Sequence, residues 1–239
     1  MNTQIERKTL VWDLPTRMFH WLLAISFFGA YTLSESERLQ HYHVMFGYTV
    51  LALTAFRLLW GFIGTRYARF GSFLFGPKAV AKHVGGLLHK KVEPHAGHTP
   101  AGSWAIYAMF LLAIVTGVTG YLNFNEIGGD VMEEIHEVAA NAWMLVVFVH
   151  VAGVIVSSIV ERQNLPRSMV TGYKRLDSAT VAIGGSRTIV GLAILVGVVG
   201  FWAVTTESGG ANIGMNAAST DSADGGEYAL ARHEESDDD

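Results

Sequence analysis

The fold is decided by residues 133–160, which read EEIHEVAANAWMLVVFVHVAGVIVSSIV. This stretch predicts a membrane-spanning helix, because such a helix needs about 20 mostly apolar residues. It nevertheless carries two histidines, His136 and His150. They are fourteen positions apart, which is just under four helical turns, so both imidazoles lie on nearly the same face, about 21 Å apart along the axis. Ionisable residues at membrane depth usually face a bundle interior, a partner or a cofactor. The stretch therefore predicts two sites, one near each side of the membrane.

The rest of the chain repeats the same pattern of apolar blocks. Of its 239 residues, 50% are hydrophobic and only 16% are charged. The blocks cover residues 18–33, 43–63, 103–122, 138–160 and 188–205. Only helices and closed barrels satisfy the backbone in lipid, and the blocks lack the alternation of barrel strands. The predicted fold class is therefore all-α, an integral membrane helical bundle with five crossings.

The distribution of Lys and Arg predicts the orientation, because positively charged loops stay in the cytoplasm. The segment up to residue 17 holds three, the loop after the second block six, and the loop after the fourth block five. The alternate segments hold one, none and one. We therefore predict a multi-pass protein of the bacterial inner membrane, with a cytoplasmic amino terminus and a periplasmic carboxyl terminus.

The chain has no cysteine, which excludes disulfides, iron–sulfur clusters and thiolate or c-type haem. Histidine is the remaining ligand, and the histidines of the blocks sort by depth. His20 begins the first block on the inner side, and His43 begins the second on the outer side. The sorting gives two pairs at matching depths: His20 with His150, and His43 with His136. Two neutral imidazoles fit the axial positions of a haem iron, so each pair predicts one metal site.

His41 competes with His43 for the outer position. The two differ by about 200° in direction on a helix, so only one can face the bundle. We favour His43, because Gly47 one turn below it leaves room for a flat ring and Arg57 lies on the same stripe. His41 stays open as the alternative.

Two arginines are candidates for binding the carboxylates of an inner haem. Arg57 lies on the same face of the second helix as His43, about 21 Å further along the axis, which places it at the inner end beside His20. Arg17 lies one turn before His20. Arg binds carboxylates through a bidentate fork, so either side chain could hold the propionates. A snorkelling anchor at the membrane interface is the alternative for Arg17.

A series of motifs runs in order through the first three quarters of the chain. They are VWDLPTRMFHW (11–21), HVMFGY (43–48), FRLLWGFIGTRYARF (56–70), GHTPAG (97–102), TG (116–117), IHE (135–137), VHVAGVIVSS (149–158) and NLPRSMVTGYKR (164–175). As a set they resemble the bacterial cytochrome b-561 family, which includes the b-type cytochrome subunits of nickel-iron hydrogenases. The family often has Asn at the position of Thr99.

The resemblance implies a four-helix core, residues 1–176, that holds two b-type haems per chain. Its motifs assign the ligands to His20, His43, His136 and His150. Residues 177–205 are then a linker and a fifth transmembrane helix. Residues 206–239, with nine acidic side chains and Arg232 as the sole cation, form an acidic tail too polar to bury a core. We predict a disordered periplasmic tail, with a docking arm for a basic partner as the alternative.

An iron with two histidine ligands has no open position for a substrate, so the predicted task is one-electron transfer and no catalytic residue is assigned. We expect electrons to pass between a redox partner, such as a c-type cytochrome or a hydrogenase or dehydrogenase subunit, and a quinone or cytochrome. Membrane lipid is an expected partner, nucleic acid is not, and oligomeric assembly is open. Alternatives are a self-sufficient quinone oxidoreductase that uses a small oxidant or superoxide, and a haem-containing membrane anchor.

Four further histidines, His83, His89, His95 and His98, fall in an inner loop. Surface positions are expected for them, and a metal site at the H-x-x-H of His95 and His98 is the alternative. Trp104 and Trp143, near the ends of their blocks, are predicted to be interfacial belt residues.

Overall fold

Long helices dominate residues 6–89 and 95–207, which are the residues that the computed structural model describes. The helices are α1 (Leu14–Leu33), α2 (Gln40–Ile63), α3 (Pro77–Leu88), α4 (Pro100–Phe124), α5 (Gly129–Val160), α6 (Leu165–Thr171) and α7 (Thr188–Glu207). Short 3₁₀ turns occupy Glu37–Leu39 and Phe70–Ser72, and two strands are β1 (Glu6–Leu10) and β2 (Tyr173–Asp177). The helical bundle confirms the all-α prediction.

Four helices in the described ranges are long and apolar enough to cross a membrane. They are α2 with its preceding turn, α4, α5 and α7. Helix α1 has 20 residues, but Arg17 and His20 lower its hydropathy, so its crossing stays a prediction. The backbone divides into two compact units, residues 1–196 and 197–239. The predicted acidic tail lies, from residue 208 onward, outside the described residues.

The starts of three helices explain three of the sequence motifs. Asp13, Thr99 and Asn164 are the N-caps of α1, α4 and α6, and each side chain accepts a hydrogen bond from a backbone N–H of the first turn. Each cap is followed by proline in the first two helical positions, where its missing N–H costs nothing. Because Thr and Asn are both good N-caps, the threonine of GHTPAG fills a role that asparagine would also fill.

The centre of the bundle is a cluster with one buried residue from each of four helices: Phe27, Val50, Ala113 and Trp143. The Trp143 ring lies 4.3 Å from the Phe27 ring, and Trp143 is 2% exposed. The interfacial prediction for Trp143 is therefore wrong. Helix α5 begins at Gly129, well before the apolar block, so Trp143 lies in its middle rather than near its end. Trp104, at the start of α4, is exposed, and its interfacial position stays a prediction.

A small antiparallel ribbon of two strands joins the segment before α1 to the segment after α6. β1 pairs with β2 from Glu6 opposite Asp177 to Leu10 opposite Tyr173. Next to it, the fully buried Asp13 accepts hydrogen bonds from Trp60 Nε1 at 3.1 Å and Thr65 Oγ1 at 2.6 Å. These bonds fix the beginning of α1 against the end of α2.

Candidate cofactor sites

The structure brings His43 of α2 and His136 of α5 together. Their ring centres lie 6.1 Å apart, with an angle of 73° between the ring planes. Two imidazoles that bind one metal ion from opposite sides through Nε2 have ring centres about 6 Å apart, because each metal–nitrogen bond is about 2 Å long. The separation therefore fits one metal ion between the two rings.

Backbone carbonyls fix the orientation of both rings. His43 Nδ1 lies 2.8 Å from Ala30 O, and His136 Nδ1 lies 2.8 Å from Thr116 O. A carbonyl oxygen only accepts, so Nδ1 donates the proton in each pair. A neutral imidazole then keeps the lone pair of Nε2 for a metal, which is the arrangement that histidine ligands commonly show.

A cavity of about 580 Å³ lies beside these two rings, within the volume range of small-molecule and cofactor sites. Gly47 lines it, and a Cβ added there would meet no atom within 4 Å, so the glycine leaves open space. His41 is exposed, and its ring contacts Tyr42 instead. The cavity therefore favours His43 over His41 as the ligand.

The TG motif of α4 supports the position of His136. Thr116 supplies the carbonyl that accepts the His136 N–H. A Cβ at Gly117 would collide with Leu51 of α2, so this glycine permits the close approach of α2 and α4. One turn from Thr116, a Cβ at Gly120 would lie 2.7 Å from the His136 ring. The backbone of α4 thus both bonds the ring and leaves space for it.

The second predicted pair, His20 of α1 and His150 of α5, lies at the other end of the bundle. Both side chains are half-buried, and they are close enough to interact electrostatically. His20 packs edge-on against Trp21, with ring centres 5.1 Å apart. Its Nδ1 is buried and has no hydrogen-bond partner among the described residues. No protein carbonyl therefore fixes the His20 tautomer in the part of the chain that the structure describes.

Arg57 lies inside the bundle. It is 2% exposed, and its guanidinium is surrounded by three phenylalanine rings at 5.3 to 6.0 Å. Its Nη2 donates to Ala68 O at 3.0 Å, whereas its buried Nη1 has no partner among the described residues. Arg17 donates from Nη1 to Val170 O at 2.5 Å, and its buried Nε likewise has no hydrogen-bond partner among the described residues. Each arginine thus has a buried nitrogen available for an acceptor that the described chain does not supply.

His98 of the GHTPAG motif belongs to the same end, which sequence reasoning missed. Its ring lies between Trp12, at 4.7 Å, and Phe73, at 4.3 Å. Burial lowers the pKa of His98 well below its usual value, and the nearby cations Arg57 and Lys174 lower it further, as do the histidines of the pair. The prediction of a surface position is therefore wrong. The aromatic residues that precede α1 and follow α2 were the available signal.

His83 is also buried, at 6% exposed, and its ring lies 5.6 Å from that of His95. Burial lowers the pKa of His83, and the proximity of His95 adds to this effect. The surface prediction is wrong here too, whereas His89 is exposed as expected. No group of three or more metal-ligating side chains of the His, Cys, Asp or Glu type occurs within residues 6–89 and 95–207.

The chain is similar to known proteins over the region that contains the four histidines. The model of a family described as prokaryotic cytochrome b561 matches residues 11–172. A protein named probable Ni/Fe-hydrogenase B-type cytochrome subunit, from Azotobacter vinelandii, is 27% identical over 211 residues, which cover 69% of this chain and 87% of the relative. A protein of the same name from Azotobacter chroococcum mcd 1 matches with the same identity and coverage. No solved structure matches.

Proposed function

The chain belongs to the prokaryotic cytochrome b561 family, as its motifs predicted, and from this premise we propose that it transfers electrons across the bacterial inner membrane through two b-type haems. A bound haem iron supplies one-electron redox chemistry. The amino terminus is cytoplasmic and the carboxyl terminus periplasmic in this proposal. Residues 1–176 form the haem-binding core, residues 177–205 the linker and fifth crossing, and residues 206–239 the acidic tail.

The geometry of His43 and His136 carries the proposal. Their ring separation of 6.1 Å, their two carbonyl-bonded Nδ1 atoms and the adjoining cavity all fit a haem held between the two histidines. A haem iron held by both histidines would have no position open for oxygen or a substrate. The site therefore suits electron transfer rather than haem catalysis.

His20 and His150 are the proposed ligands of the second haem. Both side chains are half-buried at the end of the bundle opposite His43 and His136. On α5, His150 follows His136 by fourteen residues, which places the two sites about 21 Å apart along the helix. The buried cluster around Phe27 and Trp143 lies in the bundle centre. Arg57 and Arg17 are proposed to bind carboxylates of this second haem through their unpartnered nitrogens.

The names of the two relatives suggest the kind of partner. Each is named as a subunit of a nickel-iron hydrogenase, so we propose a separate redox subunit of hydrogenase or dehydrogenase type, or a c-type cytochrome, as one partner. Quinone or another cytochrome is the other. The exposed apolar faces of α4, α5 and α7 suit contact with lipid or with membrane helices of a partner.

The proposal is tested by the haem content and turnover of the purified chain. A pyridine haemochrome assay should give two non-covalent b haems per chain, with low-spin spectra. One haem or none per chain would overturn the proposal. Reduction of quinone by the purified chain alone would instead support the self-sufficient oxidoreductase.

A further inference from the structure

Three buried nitrogen atoms near His20 and His150 have no hydrogen-bond partner among the described residues. They are Trp12 Nε1, Arg57 Nη1 and His98 Nδ1. The indole and guanidinium nitrogens are donors in every state, and the imidazole nitrogen is a donor in one of its neutral tautomers. Buried donors without acceptors are costly and rare in native proteins. The group therefore indicates an acceptor that the described residues do not provide.

The three side chains are neighbours in one aromatic cluster. The rings of Trp12 and His98 lie 4.7 Å apart. The His98 ring also contacts the Phe73 ring. The Phe73 ring lies 5.8 Å from the Phe70 ring, and the Arg57 guanidinium lies 5.3 Å from the Phe70 ring. Arg57 also interacts electrostatically with His98. One small ligand group could therefore contact both Trp12 and His98, with the charge of Arg57 nearby.

The unpartnered Nη1 of Arg57 favours an anionic acceptor, because a hydrogen bond from a guanidinium to a carboxylate is stronger than one between neutral groups. Asp13 interacts with Arg57 electrostatically, and its oxygens accept hydrogen bonds from Thr16, Trp60 and Thr65. Arg57 Nη1 itself has no hydrogen-bond partner among the described residues. A carboxylate has two oxygens with several lone pairs, and the fork of an arginine fits it well.

We propose that Trp12 and His98 complete, with Arg57, a carboxylate-binding site, and that the carboxylate belongs to the haem bound by His20 and His150. This inference rests on the proposed function and assigns a role to the GHTPAG histidine. Lys174 lines the same region, since its Nζ lies 5.5 Å from the Trp12 ring, but it donates to the carbonyls of His95 and Gly97. His98 is thus a positioning residue for the cofactor.

The first test measures how fast this haem leaves the full-length protein. In a His136→Ala background, which leaves the His20–His150 site alone, haem transfer to excess apomyoglobin is followed by absorbance. His98→Phe should accelerate the loss about tenfold or more, as expected for a lost hydrogen bond to a charged group. His98→Asn keeps a donor near the position of Nδ1 and should restore much of the retention. His89→Phe, at an exposed position, is the control and should behave as the parent.

The second test replaces the ligand. Full-length protein stripped of haem is refilled with haem or with its dimethyl ester, in which both carboxylates are blocked. The parent should retain the free acid about tenfold or more longer than the ester, and His98→Phe should remove most of this preference. Equal retention of acid and ester by the parent would overturn the inference while leaving the haem site itself intact. Binding of neither compound at His20 and His150 would overturn the proposed function as well.

Discussion

The substitution Gly120→Ala tests whether α4 holds His136 ready for a cofactor. A methyl group at this position would lie 2.7 Å from His136 Cε1 and 2.9 Å from its Nδ1. Nonbonded contacts of this type need about 3.5 Å or more, so the ring must retreat by roughly 1 Å. Thr116, whose carbonyl accepts the Nδ1 proton at 2.8 Å, is on the same face of α4 one turn away. The retreat therefore also stretches this hydrogen bond to about 3.5 Å, where it is essentially lost.

Loss of the partner that orients a metal-bound histidine typically lowers metal affinity about 10- to 100-fold. We therefore expect Gly120→Ala to weaken haem binding at His43 and His136 by at least this factor, because the ring is displaced as well as released. The His20–His150 site should keep its haem, since it lies about 21 Å away along α5.

The assay combines haem content per chain with the rate of haem loss from each site. Gly200→Ala is the matched control, because it adds the same methyl group to a membrane helix, α7, that carries no proposed ligand, at a position where a Cβ meets no atom within 4 Å. Two retained haems and a parental loss rate in Gly120→Ala would refute the reasoning. Equal haem loss in both variants would show that any helical methyl disturbs the bundle.

Three further predictions follow from the same structure. His136→Ala and His150→Ala should each lose a single haem, a different one in each case, and both should abolish transmembrane electron transfer; optical spectra that are identical in the two variants would contradict the pairing. A reporter active only in the periplasm should be active after the carboxyl terminus and silent when fused within residues 78–91, and the opposite pattern would reverse the orientation. Burial lowers the pKa of Lys174 to about 8, so the unfolded chain binds more protons between about pH 8 and 10 and the free energy of unfolding should rise with pH there. Thermal unfolding should show that Lys174→Met removes this rise.

The sequence predicts the helices and the proximity of His43 to His136 well because both depend on simple periodicities. Apolar blocks near the membrane length mark α2, α4, α5 and α7, and caps followed by proline mark where helices begin. The constant rise of a helix gives the depth of a histidine once the crossing direction is known. This reasoning selected His43 and His136, whose rings the structure brings to 6.1 Å.

The sequence does not predict features that join distant segments without a periodic signal. The paired strands β1 and β2 are separated by most of the sequence. Each has only five residues, which is too few to distinguish a strand from a loop by its sequence pattern. The environment of His98 comes from Trp12 and Phe73, which belong to different connecting segments. From the sequence alone, a histidine in a loop is expected to be exposed. Only the folded chain shows that aromatic rings from other segments cover His98.

The two histidine pairs differ in what orients them, and this difference connects the site with the aromatic cluster. Both rings of the His43–His136 pair donate to carbonyls of neighbouring helices, so their Nε2 atoms are directed by the protein before any cofactor binds. The buried Nδ1 of His20 has no such partner among the described residues. At that end Trp12 Nε1, Arg57 Nη1 and His98 Nδ1 are also without a hydrogen-bond partner among the described residues. We therefore infer that the protein orients the histidines at one site and the carboxylate of the cofactor at the other.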